Sequence, residues 1–331
     1  MSVQISDEGQ GVLFTDPDPD IARAFFRTKN GCQRNKLKSL KEAIAEFVQD
    51  GDYLVTGGFG SNRTPLAACH EIVRQKKKNL AFAGHTTTHD FQILCAGKSF
   101  NRVDSAYIIG LEARGLSPNA RRYMESGAVQ VTEWTNYALA ARFKAAAMGA
   151  SFVPVRSLIG TDTFKYSAAK IIECPFTGKK VVLLPALYPD VSVIHVHEAD
   201  MYGNCRFRGI SVADIELASA SKRLIITCER LISNDEIRHD PSATQIPFYL
   251  VDAVCEVPYG GYPGNMPYEY FSDEEHLKEW LTVEKDPALF AAFLEKNIYT
   301  CEDHFQYIEK NGGLHKLQAL RAKEFLMHPK P

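Results

Sequence analysis

A glycine-rich turn is the feature of this sequence best suited to hold an anion. Gly57-Gly58-Phe59 follows the apolar run Tyr53–Thr56, and Asn62-Arg63-Thr64 precedes a pattern typical of a helix. Glycines let backbone N–H groups approach a ligand closely, and a helix N-terminus favours negative charge. Arg63 could therefore hold a carboxylate or phosphate, although plain helix capping explains the same residues equally well. The spacing matches neither a Walker loop nor a dinucleotide-binding fingerprint.

Two carboxylates are candidates for acid chemistry. Glu112 and Glu133 each follow a strand-like run. Because ligand sites of α/β proteins form at the carboxyl ends of parallel strands, both residues are well placed to act on a substrate. A solvated surface glutamate is the competing interpretation for each of them.

A pair of histidines raises the question of a metal site. His195 and His197 flank Val196 at the end of an apolar run, so their side chains share one face of a strand. No third ligand lies at a suitable spacing, and we predict one packed histidine, one exposed histidine and no metal site. The serines lack the G-x-S-x-G elbow, which argues against a serine hydrolase.

The elements that position these residues alternate between strand and helix patterns. Ser39 and Glu42 have the spacing of a capping box at the start of a helix. Short apolar runs predict strands at residues 53–56, 80–83, 107–109, 129–131, 181–186, 191–196 and 224–227. Near-continuous apolar strands between helices predict an α/β fold with a mostly parallel sheet covered by helices on both faces.

The chain divides into an N-terminal extension and one domain. Residues 1–35 contain Asp16-Pro17-Asp18-Pro19-Asp20, where each proline favours extended geometry in the residue before it. Residues 36–331 form the predicted α/β domain, and its last part, from about residue 272, has a helical pattern.

Composition excludes several classes of protein. The 38 basic and 40 acidic residues give a net charge of -2, which argues against a nucleic-acid binder. No apolar run reaches the roughly 18 residues of a membrane span, and the N-terminus lacks a signal-peptide pattern. Eight cysteines without C-x-x-C spacing predict reduced thiols and a cytoplasmic protein.

Three segments in order identify a resemblance. Residues 50–59 with Arg63-Thr64-Pro65 are similar to the first signature of family I coenzyme A transferases. The glutaconate CoA-transferase branch has arginine at the position of Arg63, where the broader family has glycine. Residues 227–241, and residues 251–254 with 258–263, resemble the A subunit of that branch. The resemblance covers about residues 36–320.

The resemblance implies a heteromeric enzyme. In this family the donor CoA thioester is attacked by a glutamate of the B subunit, giving a mixed anhydride and then a glutamyl-CoA thioester. The Ser-Glu-Asn-Gly motif that carries this glutamate does not occur here. The chain therefore resembles an A subunit that is active only with a paralogous B subunit of about 260 residues. The resemblance also implies an A2B2 or larger assembly, coenzyme A thioesters as substrates, an organic acid as acceptor and no tightly bound cofactor.

The resemblance also implies substrate-binding positions. Gly57, Gly58, Phe59 and Arg63 match the family motif, Gly84 matches a second glycine turn, and Glu133 with Asn136 lies in a pocket-lining segment. His85 and Thr86 stand where small residues and glycines are usual. The expected substrate-binding residues are Gly57, Gly58, Phe59, Asn62, Arg63, Gly84, His85, Thr86 and Asn136.

Two other functions fit the same residues. Relatives of this fold include a ring-opening CoA-thioester hydrolase and a decarboxylase, and such an enzyme would use Glu112 or Glu133 of this chain. A non-catalytic CoA-ester-binding or assembly subunit is the third alternative. The tyrosine-rich residues 259–263, with Tyr268 and Tyr270, are either a partner contact or a loop packed on its own domain.

Overall fold

The computed structural model describes residues 4–108 and 115–327. The strands are β1 (Ile5–Glu8), β2 (Tyr53–Thr56), β3 (Leu80–Gly84), β4 (Phe100–Ser105), β5 (Gln130–Glu133), β6 (Phe152–Val155), β7 (Lys170–Glu173), β8 (Lys180–Pro185), β9 (Val191–Ala199), β10 (Cys205–Arg206), β11 (Arg223–Leu231) and β12 (Ala253–Glu256).

The helices lie between these strands and in the C-terminal tail. The α-helices are α1 (Pro19–Phe26), α2 (Leu40–Phe47), α3 (Leu66–Arg74), α4 (His89–Ala96), α5 (Pro118–Glu125), α6 (Asn136–Ala147), α7 (Asp162–Tyr166), α8 (Asp214–Ala220), α9 (Asn234–His239), α10 (Glu274–Val283), α11 (Pro287–Leu294), α12 (His304–Lys310) and α13 (Gly313–Met327). None of the helices in the described ranges has the length and apolar character needed to cross a membrane.

The main sheet has the order β12-β11-β9-β2-β3-β4-β5, and these strands are parallel. Strand β10 pairs antiparallel with β9. One face packs against α2–α5, α10 and α11, and the other packs against α6 and α8. Every residue of β2 and β3 is buried, as expected for strands covered on both faces. The predicted mostly parallel sheet is confirmed.

The strand order reverses at the boundary between β9 and β2. From β2 the chain proceeds through β3 and β4 to β5, whereas β9, β11 and β12 extend the sheet in the opposite direction. Ligands of open α/β sheets bind at such a switch point, outside the carboxyl ends of the strands. The glycine turn after β2 lies at this place.

Strand β4 is not where the apolar pattern predicted a strand. Tyr107 and Ile108 lie beyond the strand, and residue 109 is outside the described residues. Strand β4 carries the buried Asp104, which accepts a 2.9 Å hydrogen bond from Arg142 and a 2.8 Å bond from Trp134 Nε1. A charged residue inside a strand weakens its apolar pattern, and the partners that allow its burial are distant in sequence.

A second sheet was not predicted. Its strands are antiparallel in the order β1-β7-β8-β6, so residues 181–185 of a predicted apolar run lie here and not in the main sheet. The edge strand β1 comes from the predicted N-terminal extension. Ala22 of α1 packs beside Ala145 and Ala146 of α6. The extension is therefore bonded to and packed on the domain.

The C-terminal residues form helices α10–α13, as predicted. Trp280 and Phe290 join the main core, and three histidines are buried nearby, His70 on α3, His276 on α10 and His304 on α12. Burial lowers the pKa of His276 and of His304 to about 4. Neutral imidazoles therefore help hold the tail against the domain.

The pH dependence of stability tests this packing. His304 has a lower pKa in the folded chain than its usual 6.5, so acid favours the unfolded state, which binds the proton more readily. In the His304→Gln variant, the amide can still donate to the Tyr259 carbonyl but does not titrate. Between pH 7 and 5, the free energy of unfolding of wild type should fall by about 2 kcal/mol relative to this variant.

Urea unfolding of both proteins at several pH values measures this difference. Burial raises the pKa of Glu284 to about 7, which has the opposite effect on stability. That effect is common to both proteins and cancels in the comparison. A difference that stays constant with pH would contradict a buried neutral His304.

Candidate functional site

The glycine turn after β2 has a defined hydrogen-bonding pattern. Gly57 N–H donates to the Val193 carbonyl at 2.9 Å, which continues the pairing of β2 with β9. Phe59 and Asn62 exchange backbone hydrogen bonds of 3.0 and 2.9 Å around a tight turn. Gly60 occupies the left-handed region there, with φ +62°, which a glycine adopts without strain.

A buried ion pair fixes this turn. The Nη2 of Arg63 lies 2.5 Å from Asp214 Oδ2, and both side chains are almost fully buried. Gly58, with φ +87°, donates its N–H to the other carboxylate oxygen at 2.8 Å. A Cβ on Gly57 would lie 2.7 Å from the same oxygen. Asp214, the first residue of α8, thus takes two of the donors that the sequence suggested for a ligand anion.

Arg63 retains further donors. Its Nε and Nη1 are buried and have no hydrogen-bond partner among the described residues. The guanidinium lies 4.5 Å from the ring centroid of Phe207, a cation–π contact. A buried arginine with a single carboxylate is stable only while that carboxylate is present. The structure therefore gives Arg63 a positioning role that depends on Asp214.

A second turn, after β3, is joined to the first. Gly84 ends β3, and the half-buried ring of His85 lies 5.4 Å from the ring of Phe59. The carbonyl of Thr86, a residue with φ +54°, accepts a 3.1 Å hydrogen bond from Gly60 N–H. Burial lowers the pKa of His85, so its imidazole is neutral at pH 7. The two turns form one rim at the end of the central strands.

Asn136 lies on the same rim. It is the first residue of α6, and its Oδ1 is buried without a hydrogen-bond partner in the described part of the chain. Burial lowers the pKa of His85, whereas a hydrogen bond with the Asn136 backbone and the charge of Asp214 raise it. The Asn136 backbone and the Asp214 carboxylate therefore lie close to the His85 ring. His85 thus lies between the start of α6 and the start of α8.

The two candidate acids are placed differently. Glu133 ends β5 at the edge of the main sheet, where it is half-buried and pairs in register with Ser105. Glu112 lies outside the described residues. The structure does bring the predicted substrate-binding positions together on one rim: Gly57, Gly58, Phe59, Asn62, Arg63, Gly84, His85, Thr86 and Asn136.

The prediction for the burial of the histidine pair was wrong. Both His195 and His197 are buried, instead of one packed and one exposed. His195 Nε2 lies 2.7 Å from Glu229 Oε1, and His197 Nε2 lies 2.8 Å from the Pro267 carbonyl. The loop after β12 folds over the end of β9 and covers them. In residues 4–108 and 115–327, no group of three or more His, Cys, Asp or Glu side chains is arranged to hold a metal ion.

Glu229 is a site-supporting residue that the sequence reasoning missed. Its carboxylate accepts hydrogen bonds from Tyr270 Oη at 2.6 Å and from Tyr259 N–H at 2.7 Å, in addition to the contact with His195. Burial raises the pKa of Glu229, but these hydrogen bonds and His195 outweigh burial, and the net shift is downward. The sequence feature that could have identified Glu229 was its position in residues 227–241, one of the segments that carry the family resemblance.

The loop that Glu229 holds also supports the glycine turn. Asn265 N–H donates to the Ser61 carbonyl at 3.0 Å, and Asn265 Nδ2 donates to Asn62 Oδ1 at 2.8 Å. Tyr262 and Tyr270 of this loop are buried. Of the two interpretations of the tyrosine-rich segment, the structure therefore supports the packed loop.

The chain matches one described protein family and is similar to several known sequences. Residues 37–257 match the family described as Coenzyme A transferase. Over 326 residues the chain is 47% identical to an uncharacterized protein of Archaeoglobus fulgidus, covering 98% of this chain and 73% of that one. Over 301 residues it is 32% identical to the A subunit of glutaconate CoA-transferase from Acidaminococcus fermentans, covering 84% of this chain and 92% of that one.

Solved structures share the fold. The crystal structure of glutaconate coenzyme A-transferase from Acidaminococcus fermentans matches with a TM-score of 0.83 and 31% identity, covering 86% of this chain and 95% of that one. The crystal structure of a variant of the decarboxylase AibA/AibB matches with a TM-score of 0.71 and 30% identity, covering 79% and 97%. The shared fold thus extends beyond residues 37–257.

The role of Asp214 is tested by its removal. The Asp214→Asn variant should lose about 3 to 5 kcal/mol of stability, because Arg63 stays buried without its counter-charge. The Asp235→Asn variant is the matched control, since Asp235 and its partner Arg238 are both exposed and 4.0 Å apart. Urea unfolding of the two variants measures the difference. Equal stability of both would show that Asp214 does not anchor the turn.

Proposed function

Because this chain belongs to the coenzyme A transferase family, we propose that it is the A subunit of a CoA-transferase acting on a small or medium carboxylic acid. The enzyme moves coenzyme A from a CoA thioester to the acid. The resemblance first identified from three sequence segments is confirmed by the match, in sequence and fold, to the A subunit of glutaconate CoA-transferase.

The observation that carries the proposal is the rim at the switch point of the sheet. The Arg63–Asp214 pair and the bond between Gly60 and Thr86 fix two turns before any ligand arrives. Preorganised polar groups stabilise charge without reorganisation during a reaction. Neutral, half-buried His85, with Asn136 beside it, supplies a polar group that can orient an acyl group or a carboxylate.

The nucleophile in this proposal is a glutamate of a partner, the B subunit, of about 260 residues. Its carboxylate attacks the thioester carbonyl, the carbon–sulfur bond breaks, and a mixed anhydride and the CoA thiolate form. The thiolate then attacks the glutamyl carbonyl of the anhydride and releases the donor acid. The acceptor acid reverses these steps. This chain contributes one wall of the site, which holds the acyl group and keeps water from the anhydride.

Exposed apolar residues beside the rim support the proposal that a partner protein binds there. Tyr137 follows Asn136 and is 62% exposed, and Ile215 follows Asp214 and is 43% exposed. Ile210, whose carbonyl accepts a hydrogen bond from Arg63, is also exposed. A site shared by two chains needs a stable interface, typically above about 2,000 Å². We propose an A2B2 or larger assembly in which the B subunit covers these residues.

The proposal includes the compartment and the ligands. All eight cysteines are free, and most of them are buried, which supports a reducing, cytoplasmic environment. The coenzyme A thioester enters as a substrate, and we propose no tightly bound cofactor.

Trapping of the covalent intermediate tests the transferase proposal. The co-expressed complex of this chain with its B subunit is incubated with acyl-CoA candidates and treated with borohydride, which reduces an enzyme–CoA thioester. Mass spectrometry should find one glutamate of the B subunit converted to the alcohol, and only when acyl-CoA was present. A complex that turns over a CoA ester and shows no such modification contradicts transferase chemistry.

A second candidate function is hydrolysis or decarboxylation of a CoA ester. The match to the decarboxylase AibA/AibB, at 30% identity, favours keeping it, since one fold supports several reactions. Such an enzyme would use an acid from this chain, either the half-buried Glu133 or Glu112. The third alternative, a non-catalytic CoA-ester-binding or assembly subunit, predicts tight ligand binding by this chain without its partner.

The Glu133→Gln variant tests whether Glu133 is that acid, and the Glu112→Gln variant tests Glu112 in the same way. If the glutamate of the B subunit carries the reaction, kcat of the variant complex should stay within about threefold of wild type, because the amide keeps the size and polarity of the side chain. A loss of about 100-fold or more would assign the acid to Glu133 and favour hydrolysis or decarboxylation. The matched control is Glu125→Gln on α5, an exposed glutamate paired with Arg121.

A further inference from the structure

A cavity opens on the same edge of the main sheet as the glycine turn. It has a volume of about 730 Å³ and lies where β9 and β11 end. Four arginines line it, Arg206, Arg208, Arg230 and Arg321, and we refer to it as the arginine cavity. We propose that the arginine cavity binds the phosphate groups of a nucleotide-bearing ligand. The identification of that ligand as a coenzyme A thioester rests on the function proposed above.

The charges of the arginine cavity favour an anion. Its four arginines face three glutamates, Glu198, Glu229 and Glu269, in a chain whose net charge is -2. The carboxylate of Glu229 is already hydrogen-bonded to His195, Tyr259 and Tyr270. The cavity therefore carries a net positive charge, and the charge of Glu229 is already stabilised from the protein side.

The paired arginines keep donors for a ligand. Arg208 and Arg321 each contact Glu269 through one nitrogen at 3.3 Å, and Arg230 contacts Glu198 through one nitrogen. A guanidinium has five N–H donors, so each of these three has others that can bind phosphate oxygens in pairs.

Arg206 is held in place with an unsatisfied donor. Its Nη2 donates to the backbone carbonyls of Glu236 and Asp240 at 3.0 and 2.6 Å, which fixes the guanidinium at the end of α9. Its Nε is buried and lacks a hydrogen-bond partner among the residues that the structure describes. Because that Nε is buried out of reach of a ligand, Arg206 acts on the cavity through its fixed positive charge.

The size and position of the cavity point to a phosphate chain. The four arginines come from β10, the segment after it, β11 and α13, and they are held at three different places: at Glu269, at Glu198 and at the end of α9. A small carboxylate would reach only some of them, whereas a polyphosphate carries charge over a longer distance. Phe207 lines the cavity and also packs under the Arg63 guanidinium, so one side chain separates the cavity from the rim.

This arrangement suits a ligand whose acyl end lies at the rim and whose phosphates lie in the arginine cavity. A coenzyme A thioester has that form. A free nucleotide that regulates the enzyme offers the same phosphate chemistry. The two sources are distinguished by substrates that carry or lack the nucleotide.

The first test uses the Arg208→Gln/Arg230→Gln double variant in complex with the B subunit. These side chains are 51% and 62% exposed, so the fold should be retained. KM for acyl-CoA should rise about tenfold, with kcat and KM for the same acyl-pantetheine unchanged. Arg23→Gln on α1, also an exposed arginine in an ion pair, is the control and should change none of these values.

The second test is a calorimetric titration of the full chain with ADP, which needs no turnover. Binding that is lost in the double variant, together with an unchanged KM for acyl-CoA, would support the cavity and assign it to a free nucleotide. No ADP binding and no change in KM would overturn the inference. If no CoA transfer is found at all, the function proposed above fails, while the ADP titration still decides whether the cavity binds phosphates.

Discussion

The carboxylate of Asp214 is the contact on which the geometry of the rim depends. It accepts from the backbone of Gly58 and from the guanidinium of Arg63, and it leaves no room for a side chain on Gly57. The charge lies at the first residue of α8, where the helix dipole also favours it. One buried anion from the protein thus organises the turn whose backbone and arginine were expected to hold an anion from a ligand.

Two further hydrogen-bond networks connect the strands near the rim to other parts of the domain. Asp104 joins Tyr53, Trp134 and Arg142, and so ties strands β2 and β4 to helix α6. Glu229 ties β9 and β11 to the loop that holds Ser61 and Asn62. Each network centres on a carboxylate, buried in Asp104 and largely buried in Glu229, that accepts several hydrogen bonds, because a charge removed from water is stable only when its hydrogen-bonding capacity is used. The turns of the candidate site are therefore held by hydrogen bonds and an ion pair within this chain.

A rim that combines buried and half-buried positions fits the proposed role of this chain as one wall of a shared site. The polar groups His85 and Asn136 lie beside exposed apolar residues such as Tyr137 and Ile215. The position of the rim follows from the fold, whereas the fold by itself does not determine the reaction. That separation explains how related chains serve transferases in some organisms and a decarboxylase in another complex.

The sequence by itself determined the local elements and the family. The capping box at Ser39 forms as expected, and strand β2 with its glycine turn has the predicted place, because short-range patterns govern these features. Contacts between distant residues decided the rest. Asp214 is 151 residues from Arg63, and β1 pairs with a strand more than 160 residues away. Strand β4 and the burial of both His195 and His197 were mispredicted for the same reason. The partners that allow a polar group to be buried are brought near only by the tertiary fold.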